Sequence, residues 1–162
     1  MTSETDPARE LLRHTLATLA YRGGKAIRDV SDEVAAFRAS ERTRTPLEIL
    51  AHIGDLLEWA LTQVRGEEKW RGAEPQTWQQ EADRFFASLE ALDQYLASEV
   101  PLACPPQRLF QAPIADALTH VGQIAMLRGL AGTPMRAENY FKADIAVGRV
   151  GAEQSAPRFE FD

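Results

Sequence analysis

The stretch Thr45-Pro46-Leu47-Glu48-Ile49-Leu50-Ala51-His52-Ile53-Gly54-Asp55-Leu56-Leu57-Glu58-Trp59-Ala60 reads as a helix with its own start signal. Thr45 can cap, and Pro46 takes the first helical position, where its missing N–H costs nothing. Glu48, three residues after the cap, completes a capping box. Behind that start, Leu50, Ile53, Leu57, Ala60, Leu61 and Val64 recur at three- and four-residue steps, which gathers them on one face for burial. Gly66 and the charged run after it predict the end of this second helix of the chain.

Working outward, a first helix is predicted from Pro7 to Tyr21. Leu11 or Leu12, Leu16, Leu19 and Ala20 form its apolar stripe, and Gly23-Gly24 reads as its stop. Lys25 to Arg44 reads as a long charged connection, with Val30, Val34 and Phe37 able to anchor a short helical stretch. A third helix spans about Pro75 to Ser98, where Phe85, Leu89, Leu92 and Leu96 repeat and Pro101, Pro105 and Pro106 enforce a stop. The fourth and most apolar helix begins near Gln107 or Pro113 and continues to Ala131, with Gly132 and Pro134 beyond it. Four amphipathic helices of about 15–24 residues without an alternating strand pattern predict an all-α fold. The expected architecture is an up-and-down four-helix bundle forming a single domain over residues 1–162. In the tail, Thr133 to Asp162, the residues Tyr140, Phe141, Ile145, Val147 and Val150 predict packing on the bundle.

Composition narrows the function classes. Hydrophobic residues at 44% and charged residues at 26% place the chain among globular proteins, away from disorder. A net charge of −6, with basic residues scattered, argues against nucleic acid and against an anionic membrane surface. The acidic, polar start Met1 to Glu10 has no secretory-signal pattern, and Asp116 and His120 interrupt the least polar stretch, so a cytoplasmic protein without a membrane span is expected. Cys104, the single cysteine, can form neither an internal disulfide nor a Cys-x-x-Cys clip. Any thiol chemistry therefore needs a thiol from outside.

On the fourth helix Asp116, His120 and Gln123 fall within a strip of about 60° on one face, with Thr119 beside it. Leu118, Val121, Ile124 and Ala125 fill most of the remaining circumference, so this polar seam needs partners. A metal ion is one such partner, because imidazole and carboxylate one turn apart can reach the same ion at ~2.0–2.2 Å. His52 is the natural third ligand, at the border between Leu56 and Trp59 on one side and Glu48 and Asp55 on the other. The plainer reading of Asp116 and His120 is a simple i,i+4 helix pair.

The segments Thr45 to Ala60 and Asp116-Ala117-Leu118-Thr119-His120-Val121-Gly122-Gln123-Ile124-Ala125-Met126-Leu127-Arg128 resemble the DinB/YfiT-like family, and the likeness extends over nearly the whole chain. A lone His on the second helix and a His-x-Gly-Gln signature on the fourth carry it, with the tail Ala143 to Gln154 in agreement. The resemblance implies a four-helix topology and a divalent metal, commonly zinc or nickel, held by one His on the second helix and two on the fourth. Here Asp116 stands where the pattern expects the first His of that pair. The implied ligand set becomes His52, Asp116 and His120, and the harder oxygen donor brings manganese or iron into range beside zinc and nickel. The resemblance further implies a metal-dependent enzyme acting on a small-molecule substrate, with an external low-molecular-weight thiol such as bacillithiol or mycothiol in transfer or isomerisation. In that picture Gln123 orients a ligand or a bound water, and Trp59 and Tyr140 border the pocket. The alternative is a non-catalytic, stress-associated bundle with a degenerate metal site, acting by binding or as a homodimer.

Overall fold

A computed structural model of the chain describes residues 6–162. Residues 1–5, part of the N-terminal stretch read for a secretion signal, lie outside the described residues. The first helix, α1 (Pro7–Ile27), starts where the Asp6 side chain accepts a hydrogen bond from the Ala8 N–H. It runs six residues beyond the predicted stop at Tyr21, straight through Gly23 and Gly24, and both glycines are buried. Gly23 is a packing site: a Cβ there would lie 2.5 Å from Cζ of Phe85.

The short helix α2 (Asp32–Ala35) is capped by Ser31 and buries Val34 and Ala35, as the anchored connection required. In α3 (Pro46–Arg65) both halves of the Thr45/Glu48 capping box are formed, and Gly66 ends the helix in the left-handed region at φ 74°. Leu50, Ile53, Leu57, Ala60 and Val64 are fully buried, and Leu61 is partly so. Helix α4 (Trp78–Ala97) begins three residues later than Pro75, at a second capping box made by Thr77 and Gln80. The last long helical run comprises α5 (Pro106–Leu109), a π-helical stretch (Phe110–Ile114) and α6 (Ala115–Leu130). Pro113 sits inside the wider turn, where its missing N–H interrupts the ordinary i→i−4 ladder.

The long helices form a ring of contacts: α3 touches α4 and α6, and α1 touches the same two. Directions follow from residue pairs. Arg13 meets Asp93, and the Trp78 indole donates to the Ile27 carbonyl, so α1 and α4 are antiparallel. His52 faces Asp116, while Trp59 shares a cavity with Pro113, so α3 and α6 are antiparallel. Arg84 donates to the Ala51 carbonyl and Tyr95 to that of Val64, so α3 and α4 run the same way. Strict alternation between chain neighbours therefore fails at this one step. The cause is the connection 66–77, which returns alongside α3: Lys69 N–H donates to Thr62, and Ala73 N–H donates to Asp55. A 20-residue helix is about 30 Å long, and a dozen extended residues span about 40 Å, so the return is within reach.

Beyond α6, Ala137–Glu138 (β1) pairs antiparallel with Glu160–Phe161 (β2). Of the tail residues expected to pack, Val150 is buried and Ile145 partly so, whereas Phe141 is 98% exposed. Val150 joins the core, and buried Glu138 accepts hydrogen bonds from Tyr21 Oη at 2.5 Å and Lys25 Nζ at 2.9 Å. Arg128 is buried and donates to the carbonyls of Lys25, Ala26 and Arg28, tying the end of α6 to the end of α1. No described helix is long and apolar enough to cross a membrane.

Candidate metal centre

The rotational phase of α3 is set by its buried Ile49, Leu50, Ile53 and Leu57. His52 is left at the edge of that face, its side chain 22% exposed. On α6, burial of Ala117, Val121 and Ile124 likewise leaves Asp116 and His120 at the edge, 47% and 12% exposed. Antiparallel packing brings the two edges together. The His52 and His120 ring centroids stand 4.9 Å apart at 83°, and Asp116 reaches between them. Its carboxylate lies 3.8 Å from Nε2 of His52 and 3.4 Å from Nε2 of His120. One donor atom from each of the three residues falls within 4.8 Å of the others.

N–H···O hydrogen bonds run about 2.7–3.2 Å, shorter than either contact with Asp116. Donors sharing an ion at ~2.0–2.2 Å stand roughly 3–3.6 Å from one another, a range that includes the 3.4 Å from Asp116 Oδ1 to His120 and falls short of the 3.8 Å from Asp116 Oδ2 to His52. The donor set could hold a divalent ion.

The surroundings favour that use. The Gln123 carbonyl oxygen lies 2.7 Å from Nδ1 of His120, a contact that suits the tautomer with the proton on Nδ1, in which the Nε2 lone pair points to the Asp116 side. Burial pushes the His52 imidazole below its ordinary value. His120 and Arg44 push in the same direction, against the pull of Asp116 and Asp55. A neutral imidazole is the ligating form.

The other pocket expectations divide. Trp59 belongs to an aromatic run that ends on the site: its ring is 5.9 Å from Trp70, and Trp70 is 5.8 Å from His52. Tyr140 packs elsewhere, edge-on to Tyr21 at 6.3 Å with the Arg22 guanidinium 4.2 Å above its ring. Those contacts fasten the tail to α1 and give Tyr140 no part in the wall formed by Trp59 and Trp70.

Trp70 was missed from the sequence, as was the system that holds its loop. Arg84 bridges Asp55, Glu58 and Glu81, and the two buried carboxylates also accept from the loop: Asp55 from Ala73 N–H, Glu81 from Gln76 N–H. Asp55 and Glu58, one turn apart just after His52, were the available signal. Comparison of the chain with protein-family models, with curated proteins and with solved structures finds no match.

Proposed function

We propose that the protein is a metal-dependent enzyme built as a four-helix bundle of the DinB/YfiT-like kind, acting on a small molecule through a divalent ion held by His52, Asp116 and His120. The observation that supports this reading is the convergence of the three donors within 4.8 Å from two separate helices. With three protein ligands, such an ion keeps open positions and supplies a Lewis acid that lowers the pKa of a bound water or external thiol. Asp116 and the two imidazoles would fill three coordination positions, one with an oxygen donor and two with nitrogen. Gln123 would hold His120 in the ligating tautomer, and Trp70, edge-on to His52 and to Trp59, gives the site an aromatic border. The single half-buried cysteine, Cys104, leaves any thiol chemistry to a small thiol from solution.

Metal content measured on protein purified without added metal tests the reading. The native chain should carry close to one equivalent of zinc, nickel, manganese or iron, and a His52→Ala, His120→Ala double variant should carry none. Equal trace metal in both after dialysis would remove its basis.

A further inference from the structure

A cavity of about 320 Å³ lies between the C-terminal half of α3 and residues 103–113, and none of His52, Asp116 and His120 lines it. That volume is at the small end of the range for small-molecule pockets, ~300–1,000 Å³. Trp59 and Gln63 line it from the His52 side of α3, and Pro113 lines it one turn before Asp116. Trp59, Leu109 and Pro113 supply apolar wall, and Gln63 contributes an amide.

Two opposite charges, Arg108 and Glu68, also line this cavity. Among the described residues neither takes part in an ion pair, and the two stand more than 4.0 Å apart. A guanidinium presents a fork suited to a carboxylate, and a carboxylate accepts from an ammonium group. A cavity with both charges free and an aromatic wall complements a ligand that carries both opposite charges and an apolar side chain.

We propose that the cavity binds a small zwitterion of the amino-acid type, its carboxylate on Arg108, its ammonium on Glu68 and its apolar side chain against Trp59. Its service as the substrate pocket rests on the metal-enzyme reading above. Its capacity to bind does not.

Cys104 lines the same cavity and provides the readout: a bound ligand should slow its alkylation by iodoacetamide. Three probes separate the charges: L-phenylalanine has both, L-phenylalaninamide lacks the carboxylate, and N-acetyl-L-phenylalanine lacks the ammonium. Phenylalanine should protect at concentrations about tenfold lower than either relative. Arg108→Gln should abolish the preference over the amide alone, and Glu68→Gln the preference over the acetyl compound alone. Each variant is compared with itself without probe, because Arg108 also affects the Cys104 thiol. Equal protection by all three probes, indifference to Arg108→Gln, or no protection at roughly 10 mM would overturn the proposal. The His52→Ala, His120→Ala variant should retain protection while losing metal. Protection without metal in the native chain sinks only the metal reading, and metal without protection sinks only the zwitterion site.

Discussion

Oε1 of Gln123 lies 2.7 Å from Nδ1 of His120, while Nε2 of the same ring lies 3.4 Å from Asp116. One ring nitrogen is thus occupied by a fixed partner and the other is directed at the donor set. Partners of this kind orient a ligating imidazole, and their loss typically weakens metal affinity about 10–100-fold. Gln123→Ala should do so in a competition titration against a chromogenic chelator, and Gln123→Glu, which keeps an acceptor, should retain most of the affinity. Unchanged binding by Gln123→Ala would show that the contact plays no part in orienting the ring.

Asp116 is the residue that separates this site from a three-histidine one. Its side chain is about half exposed, so an imidazole can be accommodated without disturbing the core. Asp116→His exchanges an oxygen donor for a softer nitrogen one and should raise the preference for zinc or nickel over manganese by about tenfold or more. An unchanged or reversed preference in paired titrations would argue that position 116 does not reach the ion.

Gly23-Gly24 shows how a local rule can mislead. Read along the chain, two glycines end a helix, but the structure carries the helix through them, and Phe85 takes the space at Gly23 while Gly24 leaves Phe86 at ordinary contact distance. A Cβ at 23 would recover the ~1 kcal/mol that glycine costs in a helix interior, yet it would overlap a fully buried ring, and such overpacking costs ~1–3 kcal/mol. Gly23→Ala should therefore lower the melting temperature. Gly122, exposed on α6 with no atom within 4 Å of its Cβ position, has only the first effect, and Gly122→Ala should raise it. Melting curves that place both variants on the same side of the native chain would refute this account.

The elements that were legible in the sequence are those governed by local physics. The capping box at Thr45, the apolar stripe of α3 and the seam of Asp116, His120 and Gln123 depend on residues within two turns of one another. The convergence of His52 on that seam depends on α3 and α6 being antiparallel neighbours, a property of the whole chain that no short window contains. Trp70 lies in a polar segment with no periodicity, and its position over His52 is fixed by distant carboxylates that receive the loop N–H groups. Tyr140 has the aromatic character of a pocket residue, but the clasp around Glu138 draws its segment to α1.

That clasp makes the tail sensitive to acid. Lys25 is paired with Glu138 at 2.9 Å and with Glu160 at 2.8 Å, and Tyr21 donates to Glu138 as well. The hydrogen bond from Lys25 lowers the Glu160 carboxyl below its ordinary 4.5. For Lys25, burial acts to lower its value, and the hydrogen bonds to Glu160 and Glu138 outweigh it, so the net shift is upward from 10.5. The two shifts bound a window. Glu160 binds fewer protons folded than unfolded, so its contribution is present above 4.5 and is lost as pH falls through its depressed folded value. The Lys25 contribution is complete below 10.5 and is lost only as pH rises through its elevated folded value. Acidification should thus loosen residues 137–161 before the helices, which a continuous apolar core holds together beside the ion pairs of Asp93 and Arg84. In ¹⁵N–¹H spectra recorded from about pH 7 to about pH 3, amides of β1 and β2 should move to random-coil positions ahead of those in α3 and α6. Lys25→Met should shift that transition toward neutral pH, because it leaves Glu138 buried without its cation. A single common midpoint for tail and helices, unaffected by Lys25→Met, would mean that apolar contacts such as Val150 hold the tail and the ion pairs add nothing measurable.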